Sequence, residues 1–261
     1  MRHLLVGFIF MSALVESVCG LTPADLSRVK FEQHPGRQLS RDLVFRDEND
    51  QPFRLGDHFG QCPTVLVLGY YRCPMLCPLI NDGLIKALQE LPLNVGRDFQ
   101  VIDVSIDPGE KPLAATSKKS QYVRSYGRAG ASEGWHSLVG DEDSIRELGD
   151  EVGYRFVYDP QAQQYAHPSG VIVLTPDGKI SRYVFGVNFK AQDLQDALAA
   201  AKDGRSSSVI SQLFLLCYHY NPITGKYSTS ILAIVRLGSL GFLAAAGWWI
   251  ISVSRTGKGI S

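Results

Sequence analysis

The sequence predicts an α/β domain in which helices cover both faces of a mixed sheet. An apolar run, a helical pattern and a second apolar run form one strand–helix–strand unit over residues 64–106. A hairpin followed by a helix, over residues 170–202, closes the domain. The first unit predicts parallel strands and the hairpin adds antiparallel ones, so the sheet is expected to be mixed.

The elements are expected in close succession. A hairpin comes first, because the polar stretch Asp47-Glu48-Asn49-Asp50 lies between the short apolar segments 43–45 and 52–55. There follow a buried strand at 64–70, a helix at 79–91, a buried strand at 99–106, a helix at 113–126, an extended segment at 135–139 and a helix at 142–152. Strands at 170–175 and 179–185 are joined by Pro176-Asp177-Gly178, and a helix at 191–202 ends the domain. This order is compatible with a thioredoxin-like domain, although the pattern alone also fits other α/β folds.

The N-terminal segment predicts export. Residues 1–20 have a short basic start, an apolar run and small residues at the end, which is typical of a secretory signal peptide cleaved near Gly20. An uncleaved N-terminal anchor is one alternative. A lipid anchor on Cys19 is another, but the residues before it make a poor lipobox.

The C-terminal segment predicts a membrane span. Residues 230–253 are predominantly apolar, apart from Arg236 near the start, and are long enough to cross a bilayer core of about 30 Å, with two tryptophans near the far end. Arg255 and Lys258 follow, which indicates that the short tail at 254–261 is cytoplasmic. A buried core helix is the alternative. We therefore expect a single-pass protein of the bacterial inner membrane, with its main domain in the periplasm.

Composition narrows the remaining possibilities. The chain has 26 basic and 26 acidic residues, so its formal net charge is zero and nucleic-acid binding is not indicated. A polar Gly/Ser stretch begins at Asp203 and marks the domain boundary. We expect one domain at 21–203 and a linker with a juxtamembrane segment at 204–229.

The stretch YYRCPMLCPLI, residues 70–80, places Cys73 and Cys77 four positions apart. Pro78 is tolerated in a first helical turn, so Cys77 is expected at or just before a helix N-terminus, where the thiolate is favoured. A redox pair, a metal clamp and a structural disulfide all remain open from the spacing. Two thiolates are too few for a closed zinc site, but they suit copper(I).

Three motifs together resemble the Sco/SenC family of thioredoxin-fold copper proteins. They are YYRCPMLCP after an apolar strand, Ser105-Ile106-Asp107-Pro108, and His167 ahead of the segment 170–178. The resemblance covers about residues 35–203. It implies that Cys73, Cys77 and His167 bind a copper ion.

The same resemblance implies a membrane-tethered metallochaperone. Such a protein delivers copper to, or matures, the dinuclear copper site of cytochrome c oxidase subunit II or a similar copper protein, and receives copper from other copper or thiol donors. The alternative is a thiol-disulfide oxidoreductase, or a redox sensor, that acts on exported cysteines through Cys73 and Cys77. Asp107 is expected either to support the site or to take part in partner docking, unless it merely starts a turn.

Two features depart from the family pattern. Well-known members are anchored by an N-terminal helix, whereas this chain is expected to use a C-terminal one. The segment Leu216-Cys217-Tyr218-His219-Tyr220-Asn221-Pro222 is an addition just before the span. Cys217 and His219 are candidates for a transient copper or partner contact, and the alternative is an aromatic collar at the membrane interface.

Overall fold

A computed structural model describes residues 23–73 and 76–206, with the side chains of this range except those of Pro23, Leu76, Cys77 and Pro78. By its backbone contacts the chain divides between residues 207 and 208, and everything described lies in the first unit. The predicted signal peptide, membrane span and tail, together with Cys217 and His219, lie outside the described residues. Among the residues that are described, none of the helices has the length and apolar character needed to cross a membrane.

The described elements alternate as the sequence predicts. The helices are α1 (Pro23–Ser27), α2 (Leu76–Glu90), α3 (Pro112–Tyr126), α4 (Ala131–Gly134), α5 (Glu142–Val152) and α6 (Ala191–Lys202), with a 3-10 helix at Leu55–His58. The strands are β1 (Lys30–Phe31), β2 (Val44–Arg46), β3 (Pro52–Arg54), β4 (Thr64–Gly69), β5 (Gln100–Ser105), β6 (Trp135–Leu138), β7 (Tyr154–Arg155), β8 (Val157–Asp159), β9 (Gln164–Ala166), β10 (Gly170–Leu174) and β11 (Ile180–Phe185).

The central sheet is mixed and has the strand order β11-β10-β4-β5-β6. Strand β4 pairs in parallel with β5, and β5 pairs in parallel with β6. Strand β10 is antiparallel to both β4 and β11. The carboxyl ends of β4 and β5 and the start of β10 therefore meet at one edge of the sheet, where all three sequence motifs converge.

Both faces of the sheet are buried. Valines of β4, β5 and β10 share one core cluster with apolar residues of α2, α3 and α6. Leucines and isoleucines of the same three strands share the other cluster with residues of α5 and of the β2–β3 hairpin. Since successive strand residues point to opposite faces, the uninterrupted apolar runs at β4 and β10 are explained by helices or a hairpin on each side.

The predicted hairpins, core strands and helices are confirmed, and two helices have the expected bounds. The main difference from the predicted bounds is at α2, which begins at Leu76 instead of at residue 79. Pro78 lies inside its first turn, where the N–H that proline lacks would have no helical partner. Elements α1, α4, β1, β7, β8 and β9 and the 3-10 helix were not expected, because each is five residues or shorter and carries little periodic signal.

Gly83 fixes how closely α2 packs against the rest of the domain. A Cβ atom at this position would lie 1.9 Å from the carbonyl oxygen of Val187, which belongs to the loop between β11 and α6. Any side chain would push the helix away from that loop. The helix that carries Cys77 is thus held against the loop after β11 by a backbone contact that only glycine permits.

Candidate functional site

Cys73 and Cys77 lie where the chain passes from β4 into α2. Cys73 is buried and belongs to the core cluster on the α5 side of the sheet. Its N–H donates to the carbonyl oxygen of Tyr70 at 3.3 Å, so the chain turns directly after the strand. The backbone of Cys77 lies in the first turn of α2, because the helix begins three residues earlier than the sequence predicts. A thiol near a helix N-terminus is one whose ionised form is stabilised.

His167 is brought to the same edge by the strand register. Val171 of β10 pairs with Val67 of β4, and the two strands are antiparallel. Four residues before Val171, the chain reaches His167 beside the end of β4, and the His167 ring lies 5.9 Å from the Tyr70 ring. The histidine and the cysteine loop are therefore neighbours, although 94 positions of numbering separate residues 73 and 167.

Tyr154 holds the buried His167 imidazole. The hydroxyl of Tyr154 donates to the carbonyl oxygen of Leu68 at 2.9 Å and lies 2.7 Å from Nδ1 of His167. The Tyr154 hydroxyl also lies 3.1 Å from the carbonyl oxygen of Pro168, and Nδ1 of His167 lies 3.0 Å from that same oxygen. These carbonyl acceptors favour the tautomer in which Nδ1 carries the proton. A neutral imidazole that donates through Nδ1 carries its lone pair on Nε2, the atom that can bind a metal.

Asp107 lies in the loop after β5, next to the residue that precedes Cys73. Its Oδ2 accepts a hydrogen bond from Nη2 of Arg72 at 2.8 Å, and its Oδ1 accepts from the N–H of Gly109 at 2.8 Å. The Arg72 side chain is 65% exposed. This position suits the predicted supporting or docking role, which stays a prediction.

Two buried carboxyl groups lie behind the cysteine loop, and neither is expected from the sequence. Glu110 accepts hydrogen bonds from the N–H groups of Tyr71 and Arg72. Asp103 lies in β5, and burial, followed by the nearby charge of Glu110, raises its pKa to about 8. Glu110 follows Asp107 by three residues in the sequence. This spacing becomes informative only once β5 is known to end beside the cysteine loop.

The described side chains contain part of the predicted copper site. Within them, no three or more His, Cys, Asp and Glu side chains are grouped so as to hold a metal ion. The Cys77 side chain is outside that search, so the trio of Cys73, Cys77 and His167 stays a prediction. The donor set is nevertheless suitable, because a thiolate and a neutral imidazole nitrogen are ligands that copper accepts.

This arrangement defines an α/β protein with a cysteine pair at the start of a helix and a distal histidine at the same sheet edge. The sequence model of the SCO1/SenC family matches residues 32–202. The chain therefore belongs to the SCO1/SenC family. A comparison with curated proteins finds no match.

Solved structures share the fold. A candidate electron transfer protein from Aquifex aeolicus VF5 is 28% identical, with a TM-score of 0.57, and the match covers 66% of this chain and 96% of that one. A SCO1/SenC family lipoprotein from Bacillus anthracis is 20% identical, with a TM-score of 0.52 and coverage of 63% and 97%. BsSco, described as a Sco family cytochrome c oxidase assembly protein with a disulfide switch, is 20% identical, with a TM-score of 0.50 and coverage of 65% and 97%. The thioredoxin-like class is thereby confirmed.

Proposed function

We propose that this protein carries copper, and that it delivers the ion to, or matures, the dinuclear copper site of cytochrome c oxidase or a similar copper protein. Membership of the SCO1/SenC family supports this function. The observation that carries it is the position of the buried His167 beside the cysteine loop, with Nδ1 at 2.7 Å from the Tyr154 hydroxyl, so that Nε2 is the nitrogen suited to a metal.

Three side chains would hold the copper cargo. Cys73 and Cys77 supply soft thiolates, and His167 supplies an imidazole nitrogen that also makes copper(II) acceptable. The thiols must be deprotonated to bind, and the first turn of α2 favours that form at Cys77. Cys217 and His219 are proposed as a further, transient contact for copper or for a partner.

The alternative function is thiol-disulfide exchange, or redox sensing, through the same cysteine pair. The position of Cys77 in the first turn of α2 supports it, because thiols there are reactive. The disulfide switch named for BsSco is a property of that relative. In a copper carrier, metal binding and oxidation compete for the same two sulfurs. An oxidoreductase should show no such competition.

Copper stoichiometry of the full chain tests the proposed function. We expect the reduced chain to bind one copper ion through the pair, and the chain oxidised to a Cys73–Cys77 disulfide to bind none there, because both sulfurs are then consumed. The measurement is copper per chain after desalting, before and after oxidation. Equal stoichiometry in both forms would mean that another site binds the copper.

We also propose that a C-terminal helix at 230–253 tethers the domain to the bacterial inner membrane, with residues 21–229 in the periplasm after removal of the signal peptide. The basic residues Arg255 and Lys258 support this orientation. A reporter that works only in the cytoplasm should be active when fused after Ser261 and inactive when fused at Ser207. A reporter that works only outside the cytoplasm should give the opposite result. An exported reporter at Ser261 would contradict the single-span topology.

A further inference from the structure

Glu110 is the buried centre of a hydrogen-bond network behind the cysteine loop. Its side chain is 0% exposed. Its Oε2 accepts from the N–H of Tyr71 at 2.9 Å and from the Ser105 hydroxyl at 2.6 Å. Its Oε1 accepts from the N–H of Arg72 at 2.6 Å. One carboxyl group thus joins the end of β5 to the two residues that precede Cys73.

These hydrogen bonds hold the chain just beyond the point where the hydrogen bonds of the sheet end. The parallel ladder between β4 and β5 ends at the pair of Gly69 and Ser105. Beyond it, the N–H groups of Tyr71 and Arg72 need an acceptor, because a buried N–H without one is costly. Glu110 supplies both acceptors from a single side chain and so fixes two consecutive peptide groups.

The Arg72 side chain contributes differently. Its Nε lies 3.6 Å from Oε1 of Glu110, and its guanidinium also pairs with Asp107. Because this side chain is mostly exposed, solvent screens its ion pairs, which are expected to be weak. The hydrogen bonds from the backbone to Glu110 are therefore expected to hold the loop more strongly than the Arg72 side chain does. A variant of Glu110 should then have a larger effect than a variant of the Arg72 side chain.

We propose that Glu110 is a positioning residue: by holding the peptide groups of Tyr71 and Arg72, it sets where the Cys73 thiol is presented. The inference rests on the proposed function in so far as that thiol binds copper. Glu110→Gln keeps the shape of the side chain but turns one acceptor oxygen into an amide that donates. That amide would face an N–H or hydroxyl donor, so the loop must shift.

The test compares E110Q with a matched buried carboxyl elsewhere. Glu48 is also buried, pairs with Lys119, and lies near the N–H of Ser137. In the full chain, E110Q should lower copper(I) affinity about 10–100-fold, as loss of an outer support does, and should alter the thiolate-to-copper(II) absorption band. E48Q should lose stability with neither change. Arg72→Ala, which keeps the N–H, should lose less affinity than E110Q.

The alkylation rate of Cys73 in a Cys77→Ser background gives a readout that needs no copper. We expect E110Q to change this rate and E48Q to leave it unaltered, both measured where circular dichroism shows a folded chain. If E110Q does not fold, Glu110→Asp, which shortens the side chain by one methylene, takes its place with the same expectations.

Three results would overturn the positioning role. They are a wild-type rate and affinity in E110Q, equal changes in E110Q and E48Q, and a loss in R72A as large as that in E110Q. If the wild-type chain binds no copper, the proposed function fails, and the alkylation rates alone then decide whether Glu110 positions the Cys73 thiol.

Discussion

Replacing His167 with alanine should abolish most copper(II) binding while leaving weaker copper(I) binding. The variant removes the nitrogen ligand and keeps both thiols, and two thiolates still suit the softer ion. The copper(II) loss should exceed the roughly 10–100-fold cost of losing an outer support. Copper titration of the reduced full chain, with each oxidation state in turn, measures both affinities.

Two further variants make this result specific. Tyr154→Phe keeps the ligand but removes the hydroxyl that holds Nδ1, so copper affinity should fall about 10–100-fold. His136→Ala removes a partly buried histidine of β6 and should leave copper binding unaltered. Unchanged copper affinity in H167A, together with an altered thiol exchange rate, would favour the oxidoreductase over the copper carrier.

Asp103 should make the protein less stable as pH rises from about 4 to 8. Burial is the main reason that its pKa rises from 3.8 to about 8, and the charge of Glu110 adds to the effect. In this range the folded state keeps the proton and the unfolded state has lost it, so the free energy of unfolding falls with increasing pH. At about 1.4 kcal/mol per pKa unit, the cost at pH 7 is up to about 4 kcal/mol.

Denaturant unfolding of the wild type and of Asp103→Asn at several pH values tests this effect. The asparagine cannot ionise, so D103N should gain stability relative to the wild type between pH 5 and 8. Asp98→Asn is the control, because Arg97 and the Asn94 N–H lower the pKa of Asp98 and its titration is complete below this range. Parallel pH profiles for D103N and the wild type would show that Asp103 does not keep its proton in the folded state.

Periodicity was sufficient to predict the large elements. The strands β4, β5, β10 and β11 and the helices α2, α5 and α6 bury apolar residues at regular spacing, and such patterns identify an element without knowledge of its neighbours. The sequence does not predict the short strands β1, β7, β8 and β9. Strand β1 pairs with β7, more than a hundred positions away, so its conformation depends on a partner that local sequence does not reveal.

The candidate site likewise has one part that local sequence predicts and another part that depends on long-range contacts. The positions of Cys73 and Cys77 around the start of α2 follow from local sequence, because proline and a helical pattern restrict the backbone there. His167 was assigned from a family resemblance. Its place beside Tyr70 depends on the register between β4 and β10, which is a long-range property.

By itself, the sequence determined the α/β class, the order of the main elements and the three motifs that carry the family resemblance. Tertiary structure alone decided that Tyr154 holds His167, that Glu110 supports the residues before Cys73, and that Asp103 is buried beside that support. The physical reason is the range of the interactions. Apolar periodicity and proline geometry act over a few neighbouring residues. Hydrogen bonds and burial depend instead on which distant segments the folded sheet brings together.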